Sequence, residues 1–328
     1  MRAAVLTAYN SPLLVDELPD PEPGPGEVLV RVMASGVNPL DIKIRRGEAP
    51  HAQLPPPAVL GIDMAGVVEA VGPRVDRFTV GDEVFGMTGG VGGLQGSLAE
   101  LAAVDARLIA HKPRTLSMAQ AAALPLGFIT SWEGLVDRAG VGTGQQVLIH
   151  GGAGGVGFLA VQLALARGAQ VYATGSTSSQ AVIRAAGAVP IDYTATTVDE
   201  YVAAHTGGEG FDVVADNVGG ATLDASFTAV KRYTGHVVSA LGWGTHSLAP
   251  LSFRGASYSG VFTLMPLLTG RGRDHHGEIV AEAAALADSG RLAPRLHPTT
   301  FPLDAVNDAH TAVESGSATG KVVVEPNV

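Results

Sequence analysis

The sequence predicts an α/β fold, a doubly wound parallel sheet joined to a smaller, barrel-like β domain. From about Ala119 onward, strand-like and helix-like segments alternate at the spacing of parallel crossovers. Before that point, short strand patterns are separated by Gly and Pro turns, as in small barrel-like β domains. Within the alternating part lies a stretch that begins at Val147 as an apolar strand pattern. It turns through five glycines and continues with apolar residues at helical spacing: Val156, Leu159, Ala160, Leu163 and Ala164. The 328 residues are enough for two domains.

In chain order, Pro19, Pro21, Pro23 and Pro25 make an extended lead-in. Glu27 to Val32 is a strand bounded by Gly26 and the Ser35-Gly36 turn. Pro39 to Arg46 reads as a short helix closed by Gly47, and His51 to Pro57 as a Pro-rich loop. Gly61 to Gly72 is a second strand kinked by its glycines, and Gly81 to Gly86 turns into a third. Gly89 to Gly96 reads as a flexible, uncharged loop, after which Leu98 to Val104 resumes strand character. Met118 to Val136 is helix-like, interrupted at Pro125-Leu126-Gly127. Strands are then expected at Val147–His150, Gln170–Thr174, Val189–Asp192, Phe211–Asp216, Gly235–Ala240 and Ser257–Phe262. Helices alternate with them at Gly157–Arg167, Ser178–Ala186, Val198–Thr206 and Thr222–Val230. His275 to Ser289 is a further amphipathic helix, and Gly320 to Glu325 a closing strand.

Composition narrows the function. The formal net charge of −10 argues against nucleic acid or an anionic membrane as the main partner. With no cysteine, a disulfide, a cysteine zinc site or a thiol nucleophile is impossible, and the cytoplasm is the expected compartment. The N-terminal residues lack a signal-peptide apolar core. The uncharged run from Ala139 to Ala166 is broken by glycines and by Gln145-Gln146, which favours strand–turn–helix over a membrane span.

Gly152-x-Gly154-x-x-Gly157 fits the dinucleotide fingerprint between strand and helix. Glycine suits a tight turn whose backbone must approach a pyrophosphate, and the helix N-terminus offers that anion free N–H groups. Gly152, Ala153, Gly154, Gly155, Val156 and Gly157 are therefore the expected cofactor loop. NAD-binding sites usually carry an acid about 20 residues further on, for the ribose 2′-OH. Here no acid falls between Asp137 and Asp192, and the second strand runs into Thr174-Gly175-Ser176-Thr177-Ser178-Ser179-Gln180. A carboxylate would repel a 2′-phosphate, whereas small hydroxyls can donate to it. NADP(H) is thus expected, with Ser176 and Ser178 at its phosphate. Arg184 either meets that phosphate or is a solvent-facing helical residue.

Taken together, several segments resemble the medium-chain dehydrogenase/reductase superfamily in its zinc-independent quinone oxidoreductase and enone reductase branch. They are Pro23-Gly24-Pro25-Gly26-Glu27-Val28-Leu29-Val30, Ser35-Gly36-Val37-Asn38-Pro39-x-Asp41, Gly61-x-Asp63-x-Ala65-Gly66-Val67-Val68, Gly81-Asp82-Glu83-Val84, the glycine turn, Phe211-Asp212-Val213-Val214 with Val218-Gly219-Gly220, and Gly320-Lys321-Val322-Val323. The resemblance implies a Rossmann domain, 124–262, inserted in a GroES-like substrate domain formed by 1–123 and 263–328. It also implies a homodimer. It places Asn38 and Thr130 near the nicotinamide and Tyr193 at the adenosine end. Asn217 and Leu241 follow successive strands, where loops at carboxyl ends meet the cofactor, and Phe262 and Thr263 fall at the domain return, at its carboxamide end. The first cysteine ligand of zinc-dependent relatives falls at Asn38 and their ligand histidine at Ile62, beside Asp63. Isoleucine cannot ligate a metal, so no metal is expected.

Relatives often carry Tyr where this chain has Lys43, two residues after Asp41. Asn38, Asp41 and Lys43 are the candidate catalytic residues. Lys43 can be read as a donor to the acceptor's carbonyl oxygen, as a contact of the cofactor, or as a solvated lysine in a basic turn with Arg45 and Arg46. Other chemistry finds less support. The G-x-S-x-G elbow is absent, and Gly320-Lys321 lacks P-loop spacing. Asp82 and Glu83, as neighbours on a strand, face opposite ways. His150 reads as a packed histidine and His275-His276 as a solvated helix start.

The expected function is NADPH-dependent reduction of a small-molecule quinone or α,β-unsaturated carbonyl without zinc. Two alternatives stand beside it: a metal-independent alcohol or carbonyl dehydrogenase of the same superfamily, and a non-catalytic NADPH-binding protein.

Overall fold

Antiparallel pairing dominates the first of two units in the computed structural model, which describes residues 1–327. This unit comprises Met1–Leu126 and Leu264–Val328; the second is Gly127–Thr263. The first begins with β1 (Arg2–Leu6), β2 (Leu14–Glu17), β3 (Glu27–Gly36), α1 (Pro39–Arg45), β4 (Ala58–Val59), β5 (Asp63–Val71), β6 (Glu83–Met87), β7 (Leu101–Asp105), β8 (Ile109–His111) and α2 (Met118–Ala122). The chain continues through α3 (Pro125–Trp132), β9 (Gln146–His150), α4 (Gly155–Ala166), β10 (Gln170–Gly175), α5 (Gln180–Ala185), β11 (Val189–Asp192), α6 (Val198–Thr206), β12 (Val213–Asp216), α7 (Ala221–Ala229), β13 (His236–Ser239), α8 (Ala249–Arg254) and β14 (Ser257–Gly260). It returns to the first unit with α9 (Met265–Thr269), α10 (Arg273–Asp288), β15 (Phe301–Pro302), α11 (Val306–Glu314) and β16 (Val323–Glu325).

In the first unit β3 is central. It pairs antiparallel with β5, β7 and β16, so the last strand of the chain closes against one of the first. Alternation along β3 sends Val28, Val30 and Val32 into a core with Met64, Val68, Phe78, Val84, Val104 and Ile109. The Gly89–Gly96 loop is packed, with Gly89, Gly90, Val91 and Gly96 buried and Gly92 N–H bonded to Ala52 C=O at 2.8 Å. Three short helices, α8, α9 and α11, and the short strands β1, β2, β4, β8 and β15 escaped the sequence reading, because runs this short carry little periodicity.

The second unit is a six-stranded parallel sheet in the order β11-β10-β9-β12-β13-β14. Strands buried on both faces read as continuous apolar runs, as Val147-Leu148-Ile149 and Val213-Val214-Ala215 do. Leu148, Val214 and Val237 pack with Phe211, Leu223 and Phe227 in its core. The unit extends to Thr263, whose Oγ1 lies 3.1 Å from Thr130 Oγ1. Among the described residues no helix is long and apolar enough to cross a membrane.

Helix α10 is tied to the start of the unit by Asp105. Its carboxylate accepts from Arg107 Nη2 and from Arg273 Nη1 at 2.8 Å each. Burial opposes its charge, yet the two guanidiniums hold its carboxyl at about 2. A depressed acid contributes stability above its ordinary pKa of 3.8 and loses it as the pH falls towards about 2. Asp105→Asn should therefore lower the unfolding free energy by about 2 kcal/mol at neutral pH. Urea titrations at several pH values should show the gap from the parent closing between about pH 4 and pH 2. A gap unchanged at the acid end would contradict the assignment.

Candidate active site

The parallel strand order reverses between β9 and β12, and nucleotides dock outside the carboxyl ends of strands at such a point. The loop after β9 is the glycine loop. Each glycine has its own reason. A Cβ on Gly157 would come 2.2 Å from Gly151 O, and one on Gly152 would come 2.5 Å from Ala173 Cβ, so both are demanded by close packing. Gly154 and Gly155 are exposed, and a Cβ on Gly155 would meet nothing within 4 Å. A Cβ on Gly154 would come 3.3 Å from Gly151 O, so of the four only Gly155 is left unexplained by packing. Gly154 is the N-cap of α4 and has no side-chain cap, so the first N–H groups of the helix are left without an intrahelical partner.

The loop after β12 lies alongside. Asn217 Nδ2 donates to His150 O at 3.3 Å, and Val218 Cγ2 sits 3.1 Å from a Cβ placed on Gly151. Asp216, buried at the end of β12, fixes this loop. Its carboxylate accepts from Val218 N–H and Gly219 N–H at 3.0 Å and from Ser239 Oγ at 2.7 Å. Ser239 Oγ in turn accepts from Leu241 N–H at 3.0 Å. One carboxylate thus places both Asn217 and Leu241. A pocket here is lined by Thr130, Ser131, Asp216, Asn217 and Ser239. Phe262 meets Trp243 edge-on, with ring centroids 6.0 Å apart. The sequence reading missed Asp216, although an acid ending an apolar strand beside Asn-Val-Gly-Gly was the available signal. His150 is packed as expected. Its Nδ1 meets Thr174 Oγ1 at 3.0 Å, and burial pushes its pKa down to about 4, so it is neutral.

In the loop after β10, Ser176 Oγ lies 3.0 Å from both Ser178 Oγ and Ser179 Oγ. Tyr193 N–H reaches Gly175 O at 3.3 Å, which brings the exposed Tyr193 to this loop. Arg184 is exposed on α5, with no hydrogen bond to the serines. The acid-free window of the sequence closes in space, because Asp192 on β11 is in register with Gly175. Its carboxylate is taken up by Thr177 Oγ1 and Thr194 Oγ1, each at 2.6 Å, and these bonds hold its pKa below the usual range.

The first unit gathers a different cluster. Asp63, fully buried, accepts from Leu126 N–H at 2.8 Å, Asn38 Nδ2 at 3.0 Å and Lys321 Nζ at 2.9 Å. Lys321 also donates to Asn38 Oδ1. Asn38 Nδ2 donates as well to Gly36 O at 3.2 Å, so the amide is engaged at both ends. Asp41 is buried and caps α1 by accepting from Asn38 N–H at 2.7 Å; its Oδ1 has no partner. Burial drives its carboxyl up to about 7, against that backbone bond and the Lys321 charge. Lys43 lies on the exposed face of α1, between buried Ile42 and buried Ile44. Its neighbours Arg45 and Arg46 pair with Glu314 of α11. The structure brings Lys321 to Asn38, where the sequence reading looked to Lys43. The helix-start pair also divides, with His275 exposed and His276 fully buried.

The chain matches two family profiles, "Alcohol dehydrogenase GroES-like domain" over 24–114 and "Zinc-binding dehydrogenase" over 186–324. It is 37% identical to 2-methylene-furan-3-one reductase of Solanum lycopersicum over 92% of this chain and 72% of that protein. It is 36% identical to the chloroplastic NADPH-dependent alkenal/one oxidoreductase of Arabidopsis thaliana over 93% and 74%. The chain belongs to the medium-chain dehydrogenase/reductase superfamily. Within this superfamily its place is the branch of enone and quinone oxidoreductases. A crystal structure of an alcohol dehydrogenase superfamily protein from Novosphingobium aromaticivorans superposes with a TM-score of 0.97 at 58% identity, over 99% of both chains. The superfamily's catalytic zinc does not suit this donor set. Ile62 stands at a ligand position, and an ammonium already pairs with Asn38 and Asp63. Among the described residues no group of His, Cys, Asp or Glu is placed to hold a metal ion.

The glycine assignments are separable by mutation. Gly155→Ala should weaken NADPH binding at least about tenfold while the melting temperature holds, because a Cβ there meets nothing within 4 Å. Gly157→Ala should instead destabilise the fold. Titration of NADPH fluorescence beside thermal unfolding checks both. A Gly155→Ala protein with parental affinity would remove the loop from the cofactor site.

Proposed function

We propose that the protein is an NADPH-dependent reductase that transfers a hydride to an α,β-unsaturated carbonyl or a quinone without a metal. The observation that carries this reading is the exposed glycine cradle beside a hydroxyl-lined ribose loop, in a chain whose relatives are named as NADPH-dependent enone reductases. Bound NADPH supplies the hydride; the protein binds, orients and shields. In this reading the α4 N-terminus, with Ala153 and Val156 in its loop, takes the diphosphate. Ser176 and Ser178, together with Arg184, take the 2′-phosphate, and Tyr193 borders the adenosine. Thr130, Asn217, Leu241, Phe262 and Thr263 serve the nicotinamide end.

An enone or quinone spreads the charge that hydride addition creates over its own conjugated system. The acceptor therefore does not require a Lewis acid, which agrees with Ile62 and Asn38 at the ligand positions. A homodimer and a cytoplasmic setting complete the reading and are carried over from the sequence.

NADPH consumption with a panel of enones, quinones and simple ketones tests the reading; turnover is expected with the first two classes. Activity confined to simple alcohols and ketones would contradict it. Exhaustive dialysis against a chelator should leave turnover unchanged, and a loss restored by zinc alone would refute metal independence. Ser176→Asp should weaken NADPH at least about tenfold, roughly 1.4 kcal/mol, and spare NADH. Calorimetric titration with both cofactors measures this, and equal losses for the two would put the phosphate elsewhere.

A further inference from the structure

The acid that the sequence lacks after the glycine motif is brought to the loop after β10 by strand pairing, and there it is tied down. Asp192 ends β11 in register with Gly175, the last residue of β10. Its carboxylate accepts from Thr194 N–H at 2.9 Å and from Thr194 Oγ1 at 2.6 Å, a local turn two residues along the chain. It also accepts from Thr177 Oγ1 at 2.6 Å, a hydroxyl that belongs to the loop after β10. Both oxygens are engaged, and the bonds hold the pKa low, so the group is ionised at neutral pH.

Fastening the loop to β11 does not require this bond. Gln180 Nε2 already bridges the two, 2.9 Å from Gly175 O, 3.1 Å from Ser176 O and 3.3 Å from Ile191 O. Nor can an acid stand at the end of β10 itself without displacing its neighbours. A Cβ on Gly175 would come 2.6 Å from Ile183 Cδ1 and 3.0 Å from Ser179 Cβ. The loop adjoins the glycine turn, since Gly152 N–H bonds Thr174 O at 3.0 Å, and all of these residues belong to the second unit. Thr177 is exposed and Asp192 half-buried. In the chain Thr177 stands between Ser176 and Ser178, so the carboxylate is bonded to the residue between two free-standing hydroxyls.

A carboxylate beside a nucleotide ribose acts in one of two ways. It accepts from a 2′-OH, which favours NADH, or it repels a 2′-phosphate. Hydroxyl donors aimed at its oxygens oppose its charge and take up the lone pairs that a ribose would use. We infer that Thr177 is a specificity-determining residue, whose hydroxyl holds the Asp192 carboxylate off the ribose and keeps the loop open to the 2′-phosphate of NADPH. This rests on the reading above that puts that phosphate at Ser176 and Ser178. Without the Thr177 hydroxyl, Asp192 Oδ2 is released beside those serines. The freed oxygen then repels the phosphate and offers an acceptor to an unphosphorylated ribose. The preference for NADPH thus depends on an acid that is present and restrained, as well as on hydroxyls that bind.

The test is calorimetric titration of the full-length protein with NADPH and with NADH, in the parent, Thr177→Val, Thr177→Ser, Asp192→Asn and the double variant Thr177→Val/Asp192→Asn. Thr177→Val should lower the ratio of NADPH to NADH affinity at least about tenfold. Thr177→Ser keeps the hydroxyl and should stay within about threefold of the parental ratio. In the Asp192→Asn background the valine should have no effect beyond about threefold, because there is no charge left to release. A loss that persists in that background overturns the inference, since the hydroxyl would then act on the cofactor directly. An unchanged ratio in Thr177→Val overturns it too, as does a ratio that falls in Asp192→Asn alone. Ser176→Asp separates this inference from the reading beneath it. If Ser176→Asp weakens NADPH and Thr177→Val does not, the phosphate site stands and the inference falls. If neither weakens NADPH, the phosphate lies elsewhere and both fall.

Discussion

One buried carboxylate constrains the first unit. Asp63 carries a charge with no access to water, and it is tolerable only because donors from three distant segments converge on it. Those segments are the start of α1, the first turn of α3, and the approach to the last strand. Remove Lys321 and the carboxylate loses its counter-charge. The pairing of β16 with β3 and the clearance at Gly36 both serve that convergence. A chain whose ends must meet at a fixed ammonium cannot exchange that strand cheaply.

In the second unit the equivalent constraint is geometric rather than ionic. The strand-to-helix turn after β9 leaves no room for side chains at Gly152 and Gly157 and leaves Gly154 and Gly155 bare to solvent. Packing and ligand access thus divide the same motif between them. Asp216 extends the arrangement to the next loops, since its bonds to Val218, Gly219 and Ser239 set the backbone that follows β12 and β13. The proposed dinucleotide site is made mostly of backbone and small hydroxyls, which is why so few charged residues mark it in the sequence.

That economy explains what could be read from residues alone. The glycine spacing, the apolar strands and the alternation of elements are local signals, and they delivered the parallel sheet and the strand–turn–helix at 147–166. The loop after β10 was legible in part: its hydroxyls are contiguous, but Asp192 reaches it only through the pairing of β10 with β11. The cluster around Asn38 was the least legible. Proximity in sequence offered Lys43, whereas the fold delivers Lys321 from 283 residues away, and helical phase turns Lys43 outward. Likewise His275 and His276, adjacent in sequence, part because neighbours on a helix do not share a face. Long-range pairing and phase, not residue type, decided each of these.

The account turns on where the hydride goes. Single turnovers with NADPH deuterated at C4, prepared in each of its two configurations, can follow the label into an enone product. One labelled cofactor should deliver deuterium to the β-carbon of a saturated ketone, with none on the carbonyl carbon. Deuterium on the carbonyl carbon of an allylic alcohol, or label retained on the cofactor with both configurations, would contradict it.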